Sequence, residues 1–287
     1  MTAPAERNIM EEWQMNISGI IGLIMAFGLI VYGIMDGGKL INFWDPASIF
    51  IVVGGTIGAL VFAYPFSIIK KVPKLILLVF KPRKYDPNKY IEQMVEYCKT
   101  ARLKGILQLE ESANECKDPF TRSALNLIVD ANDSEKVKSM LDDAIDFMCE
   151  RHEANRAIFT KASAVFPALG MVGTLVGLIN MLQNLDASAA DAASKLGAGM
   201  STALVTTFYG CILAHVIASP IANQLKYMHD KEVLCMQIVE EGALAIISGA
   251  NPRYVEEKLL IMLPATDGKK KGKGKSKEGA GAEAPVR

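Results

Sequence analysis

Charge is what this chain lacks over long stretches. No Asp, Glu, Lys or Arg occurs from Trp13 to Met35 or from Pro46 to Ile69. Two further charge-free runs lie between Ala162 and Leu225, one holding Phe166–Gly177 and the other Ser201–Gly210. About 20 apolar residues cross the hydrocarbon core of a bilayer as a helix, so each run predicts a transmembrane helix. The same emptiness constrains function. A protein that carries ions unaided places a titratable side chain in the membrane, so a carboxylate on any ion path here has to come from a partner.

Other absences exclude further classes. Cys98, Cys116, Cys149, Cys211 and Cys235 form no CxxC pair, which argues for reduced structural thiols and against a zinc site or disulfide framework. No Ser–His–Asp or paired-carboxylate arrangement can be assembled from the spans, so neither an enzyme nor a cofactor is expected. His152-Glu153-Ala154-Asn155 lacks the second histidine of a zinc-protease motif, and Gly274-Lys275-Ser276 has Lys269 where a phosphate loop needs its first glycine. The segment before Trp13 carries Glu6, Arg7, Glu11 and Glu12 where a signal peptide would be basic, so the first run is expected to stay as a span. Lys plus Arg balance Asp plus Glu at 31 each, which gives no reason to expect nucleic acid as a partner.

The charge that is present is asymmetric. The link from Asp36 to Asp45 holds only Lys39, and the link from Asp186 to Ser194 is closed by Lys195 alone. The opposite side gathers Lys70, Lys71, Lys74, Lys81, Arg83 and Lys84, then Arg151, Arg156 and Lys161, then Lys226 and Lys231. Positive residues stay cytoplasmic, so both termini and the large middle segment are expected inside the cell. The middle segment has helical periodicity. Asp86-Pro87 and Asp118-Pro119 are helix starts; Ile91, Met94, Val95 and Cys98 mark one apolar face; Gly105 interrupts, and Ile106, Leu107 and Leu109 resume the pattern. Phe120, Leu125, Leu127 and Ile128 mark the next helix. From Ser134 a further helix, with Val137, Leu141, Ala144 and Met148 toward a core, meets no breaker before Pro167 and runs into the third span.

Beyond the fourth span, Leu225, Met228, Val239 and Leu244 predict another helix that stops near Gly249, and Asn251-Pro252 starts a last one through Leu263. The expected fold is an all-α integral membrane protein with four transmembrane helices and a helical cytoplasmic domain. Residues 1–69 hold the first two spans and their short link, 70–158 the helical cytoplasmic domain, 159–225 spans three and four, 226–264 cytoplasmic helices, and 265–287 a lysine-rich tail. That tail has too little apolar content to bury a core; it reads as solvated, or as touching anionic membrane lipid.

Within the spans the informative residues are small or hydroxylated. Gly54-xxx-Gly58 and Gly173-xxx-Gly177 are helix-packing motifs. Thr174 in the third span and Thr202, Thr206 and Thr207 in the fourth recur at helical spacing. They read either as hydroxyls bonded back to their own helix or as a polar seam for a cation or a water chain. Pro167 and Pro220 free backbone carbonyls where a span can flex. His215, alone in the fourth span, reads as a packed neutral histidine.

Taken together, Pro167 to Leu178, Thr206-Thr207-Phe208-Tyr209-Gly210, Ser219-Pro220-Ile221-Ala222 and Asn251-Pro252-Arg253 with Glu256-Glu257-Lys258-Leu259 resemble the MotA branch of the MotA/TolQ/ExbB family of ion-driven motor subunits. Only the tail beyond Pro264 falls outside the resemblance. It implies a homo-oligomeric ring, five copies in the family, around two copies of MotB, a single-span partner that supplies an ion-binding aspartate. Ion flow, H+ or Na+, then drives torque on the rotor protein FliG from the bacterial cytoplasmic (inner) membrane.

The resemblance assigns Thr174, Thr206 and Thr207 to the ion pathway, Pro167 and Pro220 to conformational change, and Arg102 and Glu110 in Ala101–Glu110 to rotor binding. Surface charge is the plain alternative for the last two. Threonine at 174 is the residue of sodium-using relatives, while protons are the commoner coupling ion, and the choice stays open. Two other readings compete: a TolQ- or ExbB-like energiser of outer-membrane processes, which has three spans, and a self-contained transporter, which needs its own buried charge or an internal repeat.

Overall fold

The computed structural model describes residues 17–82, 85–130, 133–183 and 192–264; the expectations for the first residues of the opening run, Arg83, Lys84, most of the link after the third span and the tail lie outside them. Every regular element among the described residues is helical. Four helices are long and apolar enough to cross a membrane: Gly19–Gly37, Pro46–Ala63, the outer part of Ser134–Gln183, and the helix beginning near Leu196.

The chain divides into two compact units. One comprises residues 1–84 and 150–228, the other residues 85–149 and 229–287. Residues 70–84, expected to open the cytoplasmic segment, group with the spans. The reason is the short helix Val72–Phe80, whose Val79 packs with Ile158, Phe159, Ile221 and Ala222 while Ile76 and Leu75 border the same cluster.

The second span departs from a regular helix. Asp45 caps its start, accepting hydrogen bonds from the backbone N–H of Ala47 and Ser48, and Pro46 occupies the first turn, where a missing N–H costs nothing. A π-helical stretch, Phe50–Gly54, precedes the final α segment Gly55–Ala63, and Tyr64-Pro65 ends it. The expected packing motif Gly54-xxx-Gly58 is not used within the chain: a Cβ at either glycine would meet open space, whereas one at Gly55 would approach Leu169 Cδ1 at 2.9 Å.

The third helix runs unbroken for 50 residues, Ser134–Gln183, through Pro167. The fourth span continues from Ala192–Ile212 through a π-helical stretch, Leu213–Ala218, into Ser219–Ile247, so the helix expected beyond it is its direct extension. A proline inside a helix removes one i→i−4 bond and crowds the preceding turn, and the wider π turn ahead of Pro220 accommodates that crowding.

The second unit is held by one apolar cluster. Ile91, Met94, Val95 and Cys98 of Pro87–Lys104 pack against Leu125 and Ile128, Val137 and Leu141, Ile238 and Val239, and Val255 and Leu259. Each start signal read from the sequence is made: Asp86 accepts from Asn88 N–H, Asp118 from Thr121 N–H and Oγ1, and Asn251 from Arg253 N–H. Two positions differ from the expected pattern. Ile145, not Ala144, completes the buried row with Val137, Leu141 and Met148, and beyond Gly105 only Leu109 of the resumed pattern is buried.

Candidate ion-path and partner-contact sites

Glycine sets the geometry where the third and fourth spans cross. A Cβ on Gly170 would touch the backbone of Thr206 and Thr207, one on Gly177 would come within 2.9 Å of Ala203 N, and one on Gly210 within 2.8 Å of Phe166 O. Backbones this close leave no room for side chains at the crossing. Hydroxyls fill the spaces beside it.

Thr174 Oγ1 lies 2.5 Å from Thr207 Oγ1 and also reaches Ala203 O at 3.2 Å and Gly170 O at 3.1 Å. Thr206 points elsewhere. Fully buried, it contacts Ser48 Oγ of the second span at 2.9 Å and donates to Thr202 O at 2.5 Å. The three threonines thus form two separate pairs, because consecutive residues on a helix project about 100° apart. Thr174–Thr207 is partly open; Thr206–Ser48 is closed.

The second pair extends to a charge. Ser48 Oγ is 2.5 Å from Asp45 Oδ2, so a carboxylate at the end of the second span is joined through two hydroxyls to the interior of the fourth. Sequence reading missed Asp45 and Ser48. The signal available was an Asp-Pro start of the same kind as Asp86-Pro87, placed next to a serine in an otherwise apolar span. Nearby, Tyr209 donates its hydroxyl to Phe43 O, and Phe43 and Phe208 pack with their rings tilted by 56° and their centroids 5.1 Å apart, tying the link between the first two spans to the fourth. Thr56 Oγ1 is buried without a hydrogen-bond partner among the described residues.

Pro167 lies beside Gly210 at the helix crossing, and Pro220 follows the π turn that contains His215. His215 is not packed in a core; its side chain is exposed on the wall of an apolar cavity.

In the second unit Arg102 and Glu110 are both exposed, on either side of Gly105, whose φ of +89° only glycine adopts readily. Leu103 and Leu107 stand between them at 84% and 76% exposure, so the pattern expected to run inward here points to solvent. Elsewhere in this unit burial pushes the Glu240 carboxyl up to about 7, with Asp142 adding to the rise and Lys138 opposing it; burial also raises the Cys235 thiol, to about 12. No group of three or more His, Cys, Asp or Glu suited to a metal occurs among the described residues.

Residues 112–238 match the model of the MotA/TolQ/ExbB proton channel family, and residues 20–105 match that of the motility protein A N-terminal region. Motility protein A of Bacillus subtilis is 35% identical over 255 residues, covering 88% of this chain and 93% of the relative. Chemotaxis protein PomA of Vibrio alginolyticus is 35% identical over 245 residues, covering 85% and 94%. The flagellar MotAB stator complex from Bacillus subtilis superposes with a TM-score of 0.79 at 35% identity, covering 86% of this chain and 96% of that one.

Proposed function

The chain belongs to the MotA/TolQ/ExbB proton channel family, and we infer that it is a stator subunit of the bacterial flagellar motor. It is a multi-pass membrane protein, not an enzyme, that assembles with a MotB partner into an oligomeric, ion-conducting complex converting an ion gradient into torque. The observation that carries this reading is the pairing of Thr174 with Thr207 at a glycine-lined crossing of two spans that contain no carboxylate. Such a site offers oxygen ligands but no charge, which is what a partner's aspartate would complete. The energiser alternative is not favoured: the match to the motility protein A N-terminal region covers the first two spans and the segment after them, up to residue 105.

Finer assignments follow from this reading. The complex sits in the bacterial inner membrane with both termini cytoplasmic, as the lysine-rich flanks imply. Five copies surround two of MotB. The partner's aspartate receives the ion, H+ or Na+, beside Thr174 and Thr207, and Thr206 braces the fourth span against the second. Pro167 and Pro220 weaken the hydrogen-bond ladder where the spans must shift as the carboxylate changes charge.

Arg102 and Glu110 engage opposite charges on the rotor protein FliG, and exposed Leu103 and Leu107 add apolar contact between them. Exposed ion pairs are each worth about 1 kcal/mol or less, so reversing both charges is the informative variant. In a motile host lacking its own stator, the Arg102→Glu, Glu110→Arg chain co-expressed with MotB should assemble normally in the membrane yet swim poorly. Compensating charge swaps on the rotor should restore part of the speed. Normal swimming of the double reversal with an unaltered rotor would remove the rotor assignment.

A further inference from the structure

An apolar cavity of about 490 Å³ opens in the membrane-spanning unit, within the range of pockets that enclose small ligands, about 300–1,000 Å³. Its walls come from three elements. The first span contributes Gly19, Gly22, Ala26 and Phe27, the short helix Val72–Phe80 contributes Ile76, Val79 and Phe80, and the fourth span contributes its π turn and Pro220. Small residues along one side of the first span create the space, and a Cβ added at Gly22 would meet nothing within 4 Å. The π turn lines it with His215, Val216 and Ile217.

Four exposed lysines, Lys70, Lys71, Lys74 and Lys81, lie on or beside the short helix that forms one wall. The fourth-span wall lies at the end followed by Lys226 and Lys231, whereas the first span brings no lysine to its wall, so the basic charge comes from the short helix and the fourth span. In hydrocarbon an open apolar cavity fills with whatever chain is at hand, so occupancy alone says nothing about selection. The lysines provide the selection, because clustered basic residues at a membrane surface attract anionic headgroups.

We propose that this cavity is a phospholipid site, taking one acyl chain between the first span, the short helix and the fourth span, with an anionic headgroup held by Lys71, Lys74 and Lys81. The lipid wedges against the π turn and Pro220, the part of the fourth span least bound by its own backbone.

The test uses the complex with its MotB partner, reconstituted in nanodiscs of equal phosphatidylglycerol and phosphatidylcholine, with retained lipid counted by native mass spectrometry. Wild type should retain phosphatidylglycerol over phosphatidylcholine. Gly22→Leu, which fills the cavity, should abolish retention, while Gly28→Leu on the same helix but outside the cavity should not. Lys71→Gln, Lys74→Gln and Lys81→Gln together, all on the surface and thus safe for folding, should lower the preference by up to about a hundredfold while keeping the total lipid count. Equal retention of both lipids by wild type, or unchanged retention in Gly22→Leu, would overturn the proposal. So would disulfide cross-linking between copies through Gly22→Cys, which would assign the cavity to a neighbouring subunit.

Discussion

At the residue scale, the two hydroxyl pairs make different demands. Thr174 Oγ1 and Thr207 Oγ1 lie 2.5 Å apart, either one able to donate to the other, at a partly open position. Thr207→Val keeps the shape and removes one oxygen; losing a ligand or water anchor there should cost about 1–3 kcal/mol and slow swimming strongly. Thr174→Ala should hurt a sodium-driven motor more than a proton-driven one, because protons pass along water while sodium needs replacement oxygens. Swimming speed against external sodium at fixed pH separates these cases, and an unchanged response in both mutants would reduce the pair to packing. Gly173 is less tolerant still: its added Cβ would lie 2.0 Å from Thr206 Cγ2, and Thr206 is pinned by Ser48. Gly173→Ala should cost about 1–3 kcal/mol of overpacking, seen as a lower melting temperature of the purified complex, whereas Gly28→Ala should leave it unchanged.

Glu240 is a residue-scale effect with a pH signature. Only 7% exposed and beside Asp142, its carboxyl is pushed up to about 7 from an ordinary 4.5. The folded chain therefore holds this proton to higher pH than the unfolded chain. Its stabilisation is complete below about pH 4.5 and is lost as pH rises through about 7. The melting temperature of the complex should fall between about pH 4.5 and pH 7 and level off above that, and Glu240→Gln should flatten the fall. A slope that survives the substitution would mean other groups cause it.

At the element scale, short signals decide where long helices begin and turn. Asp86 caps Pro87–Lys104 through Asn88 N–H, so Asp86→Ala should destabilise the complex by about 1 kcal/mol, read by thermal unfolding. Gly105 separates that helix from the next at a positive φ. Gly105→Ala should cost about 1–3 kcal/mol and also shift Arg102 relative to Glu110, so motility should fall more than stability does. If swimming falls only in proportion to the amount of complex, the turn has no role beyond folding. The two π stretches, Phe50–Gly54 and Leu213–Ala218, flank the places where the second and fourth spans carry Ser48 and Pro220.

At the scale of the whole molecule, two long helices contribute residues to both compact units, Ser134–Gln183 and Ser219–Ile247. Displacement in a span is thereby linked covalently, without an intervening loop, to the unit that presents Arg102 and Glu110. Because neither the third nor the fourth span contains a carboxylate where they cross, the chain reconstituted alone in proteoliposomes should pass no ions above background, and co-reconstitution with its MotB partner should be required for flux. Selective flux through the chain by itself would contradict the division of labour between the two subunits.

Much of this was legible before any coordinates. Charge-free runs determine four spans because a bilayer penalises charge and demands length, and Asp-Pro and Asn-Pro dipeptides determine helix starts because they satisfy bare N–H groups locally. The run of the helix from Ser134 into the third span was equally readable, since nothing before Pro167 could stop it, whereas its unbroken continuation through Pro167 was not. Packing partners were not. That Thr206 turns to Ser48 while Thr207 turns to Thr174, that Gly55 is used and Gly54 and Gly58 are not, and that Leu107 and His215 face outward all depend on which helix lies opposite. Periodicity along a helix names its faces, but what each face meets is settled by residues 33 to 158 positions away, and only the tertiary structure brings those together.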